Sequence, residues 1–77
     1  MQVNVRLFGS LRHLIPREKR GNTTIELSSD AKVQDVLDVL GIDYYVLVSI
    51  NETHIDDHQI RLQSGDQVLI FEAAAGG

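Results

Sequence analysis

Residues 33–50 read VQDVLDVLGIDYYVLVSI, and this stretch decides the fold. Val33, Val36, Leu37 and Leu40 recur at i, i+3, i+4 and i+7, one apolar stripe of an amphipathic helix. Gly41 follows, the residue type that adopts the left-handed conformation ending a helix, with Ile42 folding back as the accompanying apolar contact. Upstream, Ser28-Ser29-Asp30 offers short side-chain oxygens for the first-turn amides, and Asp30 is the expected cap. Downstream, Tyr45 to Ile50 is the most apolar run of the chain and predicts a strand near the centre of a sheet. Val46, Val48 and Ile50 take the core parity, and Leu47 and Ser49 point away. Tyr44 and Tyr45 are expected to anchor the helix–strand corner.

Outward from there, strands flank the helix on both sides. Val3, Val5 and Leu7 alternate with Asn4, Arg6 and Phe8, a half-buried strand ended by Gly9-Ser10. Leu11 to Ile15 reads as one helical turn closed by Pro16, because the residue before proline avoids the α region. Residues 17–22 form a charged loop. Thr23 to Leu27 is a second short strand. Asn51-Glu52 turns the chain into Thr53-His54-Ile55, residues 56–59 read as loop or a single helical turn, and Ile60 and Leu62 are expected to plug the core. Ser64-Gly65-Asp66 is turn chemistry, and a last strand carries Val68 and Ile70 and ends at Glu72. One helix on one face of a mixed sheet is an α+β design. A single short helix leaves the other face partly apolar and exposed, or covered by a partner. Phe8, Leu47, Leu69 and Phe71 share that outer parity and predict an interaction patch.

Composition bounds the chemistry. The chain has 77 residues, 11 acidic and 7 basic side chains, a net charge of −4 and no cysteine. It is one domain at most. It can hold no disulfide, zinc–thiolate site or cysteine nucleophile. The acidic balance argues against a nucleic-acid partner. No segment reaches the roughly 18 apolar residues of a membrane helix, and the first residues lack the form of a signal peptide. A cytoplasmic protein with authentic ends is expected. His54 and His58, with Asp56 and Asp57 between them, read as an exposed loop rather than a metal site, as does His13, and no metal is expected.

The chain therefore divides into a domain, residues 1–72, and a tail, residues 73–77, of sequence Ala73-Ala74-Ala75-Gly76-Gly77. Nothing in that tail can pack. It spans at most about 17 Å and ends in the Gly77 carboxylate. ATP converts a carboxylate to an acyl-adenylate without help from a catalytic residue on this chain. Glycines at the last two positions pass a narrow channel, because they have no Cβ to clash. A frayed end is the competing reading. Gly-Gly directly after the final strand of a strand–strand–helix–strand–strand domain favours a working tail.

These residues carry a resemblance. Leu7-Phe8-Gly9-Ser10-Leu11-Arg12, Val33-Gln34-Asp35-Val36-Leu37 with Leu40-Gly41, Val48-Ser49-Ile50-Asn51, and residues 62–71 with Gly76-Gly77 resemble the ubiquitin-like β-grasp sulfur carriers of the MoaD/ThiS type over the whole chain. The segment between the first two strands, residues 9–22, is similar to the small subunit of molybdopterin synthase. The tail departs from it, with Glu72-Ala73-Ala74-Ala75 where that subunit carries a proline. The resemblance implies a mixed sheet of four or five strands. It implies adenylation of Gly77 by an enzyme related to the ubiquitin-activating enzymes, with ATP and Mg bound there and no cofactor on this chain. A sulfurtransferase then yields a Gly77 thiocarboxylate, and the large subunit of molybdopterin synthase receives the sulfur. Gly76 and Gly77 are the reactive end; Phe8, Leu47, Leu69, Phe71, Ala73, Ala74 and Ala75 are the expected partner contacts. A carrier for thiamine synthesis or another pathway, a modifier joined to lysines, and a binding module with an inert tail remain alternatives.

Overall fold

The computed structural model describes residues 1–73; Ala74, Ala75, Gly76 and Gly77 lie outside the described residues. The elements in chain order are β1 (Gln2–Leu7), two 3-10 helices (Gly9–Leu14 and Arg17–Lys19), β2 (Asn22–Glu26), α1 (Val33–Leu40), β3 (Val46–Ile50), β4 (Thr53–Ile55) and β5 (Gln67–Glu72). The strands form one five-stranded sheet in the order β2-β1-β5-β3-β4. β1 pairs antiparallel with β2 and parallel with β5, and β3 pairs antiparallel with both β5 and β4. This is the β-grasp arrangement: a sheet that holds one helix against one face.

Period two places the core. Val3, Val5 and Leu7 of β1, Val46 and Val48 of β3, and Val68 and Ile70 of β5 all point to the helix side and are buried. Val33, Val36 and Leu37 of α1 meet them, and Leu11, Ile25, Ile42 and Leu62 close the edges. Among the described residues no charged or polar residue is buried in this core. The helix ends as its sequence dictates. Gly41 adopts φ 77°, its N–H donates to the Asp38 carbonyl at 3.1 Å, and the N–H of buried Ile42 donates to the Leu37 carbonyl at 2.9 Å. That bond pair satisfies two of the carbonyls a helix end leaves open.

The helix start differs from expectation. Asp30 is not its cap, and the helix begins only at Val33. Two of the orphan amides of the first turn are met by a loop remote in sequence: Val33 N–H donates to the Ile60 carbonyl at 3.0 Å, and Gln34 N–H to the His58 carbonyl at 2.9 Å. The Asp35 carboxylate reaches back to accept the Lys32 N–H at 2.7 Å. Asp30 instead accepts the Ser28 hydroxyl at 2.9 Å. That bond, with one from its own backbone, lowers its pKa below the ordinary aspartate value.

Ile60 does not plug the core. It is 39% exposed, and Leu62 alone is driven in at 3%. The tyrosines do not anchor the corner either: Tyr44 is 54% and Tyr45 69% exposed, and Ile42 fills the position instead. The strand expected from Tyr45 begins at Val46; it is interior, as expected, and lies beside β5, the middle strand. The second strand lies one residue earlier than expected, and the helical turn after β1 is a 3-10 helix, followed by a second one within the supposed loop.

The Asn51-Glu52 connection is a two-residue hairpin loop. Both residues have positive φ, 50° and 72°, the geometry that matches the twist of the flanking strands. Asn51 also ties the hairpin to β5: its side-chain oxygen accepts the Gln67 N–H at 2.9 Å, and its amide donates to Asp66 at 3.0 Å.

Candidate functional site

Among the described residues the sheet face opposite α1 carries no helix. Its register follows from the pairings. Leu47 of β3 faces Phe71 of β5, and Leu69 of β5 lies between Ser49 and Arg6. Phe8 continues the outer parity of β1 beyond the strand end, with extended backbone at φ −119° and ψ 157°, and its N–H donates to the Ile70 carbonyl at 3.1 Å. Its ring then stacks on Phe71, with centroids 4.4 Å apart and planes at 9°. The Arg6 guanidinium lies 5.2 Å from the Phe8 ring centroid, within reach of a cation–π attraction.

Phe8, Leu47, Leu69 and Phe71 are each half-buried. The structure therefore brings all four onto one face, at the end of the sheet where β5 leads into the tail. Ala73, also half-buried, follows that strand directly and is the last described residue. The opposite end of the same face is polar, with Asn4 beside Gln67 and Thr24. An apolar end next to the chain exit and a polar end away from it give the face a direction. The expected reactive residues Gly76 and Gly77, and the expected contacts Ala74 and Ala75, lie outside the described residues.

One contact at the tail's root was not foreseen from sequence. The Glu72 carboxylate accepts the Ser10 N–H at the start of the first 3-10 helix. It does so across Gly9, which turns at φ +62°; a Cβ at Gly9 would overlap that carboxylate. The last residue of β5 is thus fastened to the segment that follows β1. A glycine ending one strand and an acid ending another were the only signals in the sequence, and they do not name each other.

The histidine loop gathers no site. His54 Nε2 lies 2.9 Å from Asp56 Oδ1 on the surface, and the His58 carbonyl is engaged with the helix. Among the described residues no three His, Asp or Glu side chains converge on one point. Among the described residues no helix is long and apolar enough to cross a membrane. The Glu26 carboxylate has a lowered pKa because the Met1 ammonium and the Gln2 side chain hold its charged form. It lies on the edge strand and has no part in the apolar patch.

Comparison with known proteins agrees with this architecture. SAMP1 from Haloferax volcanii superposes with a TM-score of 0.77 at 19% identity, covering all of both chains. A Pyrococcus furiosus protein assigned as subunit 1 of molybdopterin converting factor gives 0.76 at 21% identity, over 96% of this chain and 99% of its own. The complex of subunits 1 and 2 of the molybdopterin-converting factor from Helicobacter pylori contains a chain matching at 0.66 and 23% identity, with full coverage of both. No curated protein matches the sequence significantly. The sequence matches the ThiS family over residues 5–77. With the five-stranded sheet, the single α-helix and the half-buried apolar outer face in place, the chain belongs to the ThiS family, among the ubiquitin-like β-grasp proteins of the MoaD/ThiS type.

Proposed function

We propose that this chain is a sulfur carrier whose Gly77 carboxylate is adenylated, converted to a thiocarboxylate and spent in building molybdopterin. The observation that carries this reading is the position of the apolar patch at the root of the tail, in a chain that the ThiS family matches through residue 77. A partner seated on Phe8, Leu47, Leu69 and Phe71 holds the start of a segment long enough to reach about 17 Å into a neighbouring active site. The body supplies recognition and the partner supplies catalysis.

The chemistry balances without a catalytic group on this chain. A carboxylate oxygen of Gly77 attacks the α-phosphorus of ATP and pyrophosphate leaves. ATP and its Mg are bound by an adenylating enzyme related to the ubiquitin-activating enzymes. Sulfur at the sulfide level, delivered by a sulfurtransferase, then attacks the acyl carbon. A C–S bond forms, the C–O bond to AMP breaks, and the thiocarboxylate remains. The Helicobacter pylori complex of subunits 1 and 2 of molybdopterin-converting factor supports a second subunit as the host of the sulfur acceptor.

The likeness to SAMP1, a small archaeal modifier protein, favours one second reading, in which the acyl-adenylate meets a lysine amine and an amide results. Incubation with the activating enzyme, ATP and a sulfur donor separates the two. The carrier reading expects intact protein heavier by the difference between one sulfur and one oxygen atom, and no shift when Gly77 is deleted. The modifier reading expects higher-mass conjugates in extract of the native host. Neither product, with an active enzyme, overturns both.

A further inference from the structure

Charge is divided unevenly along this chain. Residues 1–25 hold Arg6, Arg12, Arg17, Lys19 and Arg20 against one acid, Glu18, whereas residues 26–77 hold Lys32 and Arg61 against ten acids. The two 3-10 helices fold the basic part back on itself. Between them opens a cleft of about 330 Å³, whose lining includes Arg12, His13, Arg17 and Arg20 beside one apolar side chain, Ile15. An adjoining hollow of about 310 Å³ shares Arg12 and Arg20 and adds Arg6.

The arrangement is built rather than loose. Gly21 is buried at φ +81°, and a Cβ there would come within 2.8 Å of the Leu7 carbonyl oxygen and 3.3 Å of Arg12 Nε. The Arg12 side chain therefore lies directly across the Gly21 backbone. Arg20, beside it, takes the left-handed conformation at φ 53°. Among the described residues the ion pairs are Met1 with Glu26 and His54 with Asp56, so Arg12, Arg17 and Arg20 line one cleft without a carboxylate in ion-pair range.

Arginines that line one concavity without a carboxylate partner leave it positively charged, and an anion seated there is attracted by all of them. Their planar donor forks match phosphate oxygens two at a time. The volume is that of a small-molecule site, and its concavity suits a compact ligand better than a flat protein surface. We propose that this cleft binds a small soluble polyphosphate, that is, two or more linked phosphoryl groups such as the phosphate arm of a nucleotide. The proposal is independent of the chemistry at Gly77.

Titration of the full ¹⁵N-labelled chain with tripolyphosphate, followed by amide shifts, tests it. Saturable shifts confined to residues 9–21 are expected, weakening as NaCl rises because the site is open to solvent. R12Q/R17Q should weaken binding about tenfold or more, since each removes a charge-assisted bond. R17Q/R20Q leaves Arg12 packed on Gly21 and should do the same with the β5 shifts unchanged. Absent or non-saturable shifts, shifts scattered over the surface, or undiminished affinity in R17Q/R20Q overturn the proposal. So does binding of a single-stranded oligonucleotide or an acidic peptide without binding of tripolyphosphate.

Discussion

Replacing Phe71 by alanine separates the two jobs of the outer face. Phe71 is half-buried, so truncation forfeits about half of the 1.5–3 kcal/mol that full burial of such a side chain contributes, or about 1 kcal/mol. It also breaks the stack on Phe8, centroids 4.4 Å apart, worth about 0.5–1.5 kcal/mol beyond area. The sum is about 2 kcal/mol, which lowers Tm by about 8–16 °C in a domain of this size. The protein still folds, because the core lies on the other side of the sheet. Thermal and urea unfolding of the single variants and of Phe8→Ala/Phe71→Ala form a cycle. The expected coupling is about 0.5–1.5 kcal/mol. At a temperature where Phe71→Ala is fully folded, its thiocarboxylation by the activating enzyme should still fall at least about tenfold, as for loss of an aromatic interface anchor. A coupling near zero refutes the stack. Unchanged activation of the folded variant refutes the patch as a docking surface.

Two further outcomes are expected. Glu52 takes φ 72° in the hairpin loop, where an L side chain costs about 1–2 kcal/mol and glycine returns part of that as chain entropy. Glu52→Gly should therefore stabilise by about 0.5–1 kcal/mol, read as an upward shift in the urea midpoint at unchanged slope. Glu26 has a folded pKa below its unfolded value; its contribution is present above the unfolded pKa and is lost as pH falls through the folded one. Glu26→Gln should accordingly flatten the acid limb of the stability–pH profile below about pH 4 and leave its slope near neutrality unchanged.

Much of the fold was legible because period and punctuation agree. The 3.6-residue stripe from Val33 to Leu40, stopped by Gly41, and the alternation of Val3, Val5 and Leu7 each name an element and its buried face. The outer set Phe8, Leu47, Leu69 and Phe71 follows from parity alone. What sequence hid is non-local. The helix start is capped by carbonyls of His58 and Ile60, some 25 residues away, so the local cap signal at Asp30 misled. β5 lies at the centre because it pairs with both β1 and β3, which its composition does not announce. The Glu72–Ser10 clamp joins positions 62 apart in sequence, and the arginine cleft arises only when two 3-10 helices fold a nominal loop.

The central claim is that the terminal carboxylate carries sulfur, and the absence of cysteine makes it directly measurable. With no thiol in the chain, alkylation by iodoacetamide after incubation with activating enzyme, ATP and sulfur donor reports a thiocarboxylate, and oxidation of Met1 cannot mimic that adduct. One adduct per chain is expected, on the peptide ending at Gly77, dependent on ATP and absent when Gly77 is deleted. No adduct from a competent activating system, or an adduct that survives removal of Gly77, contradicts it.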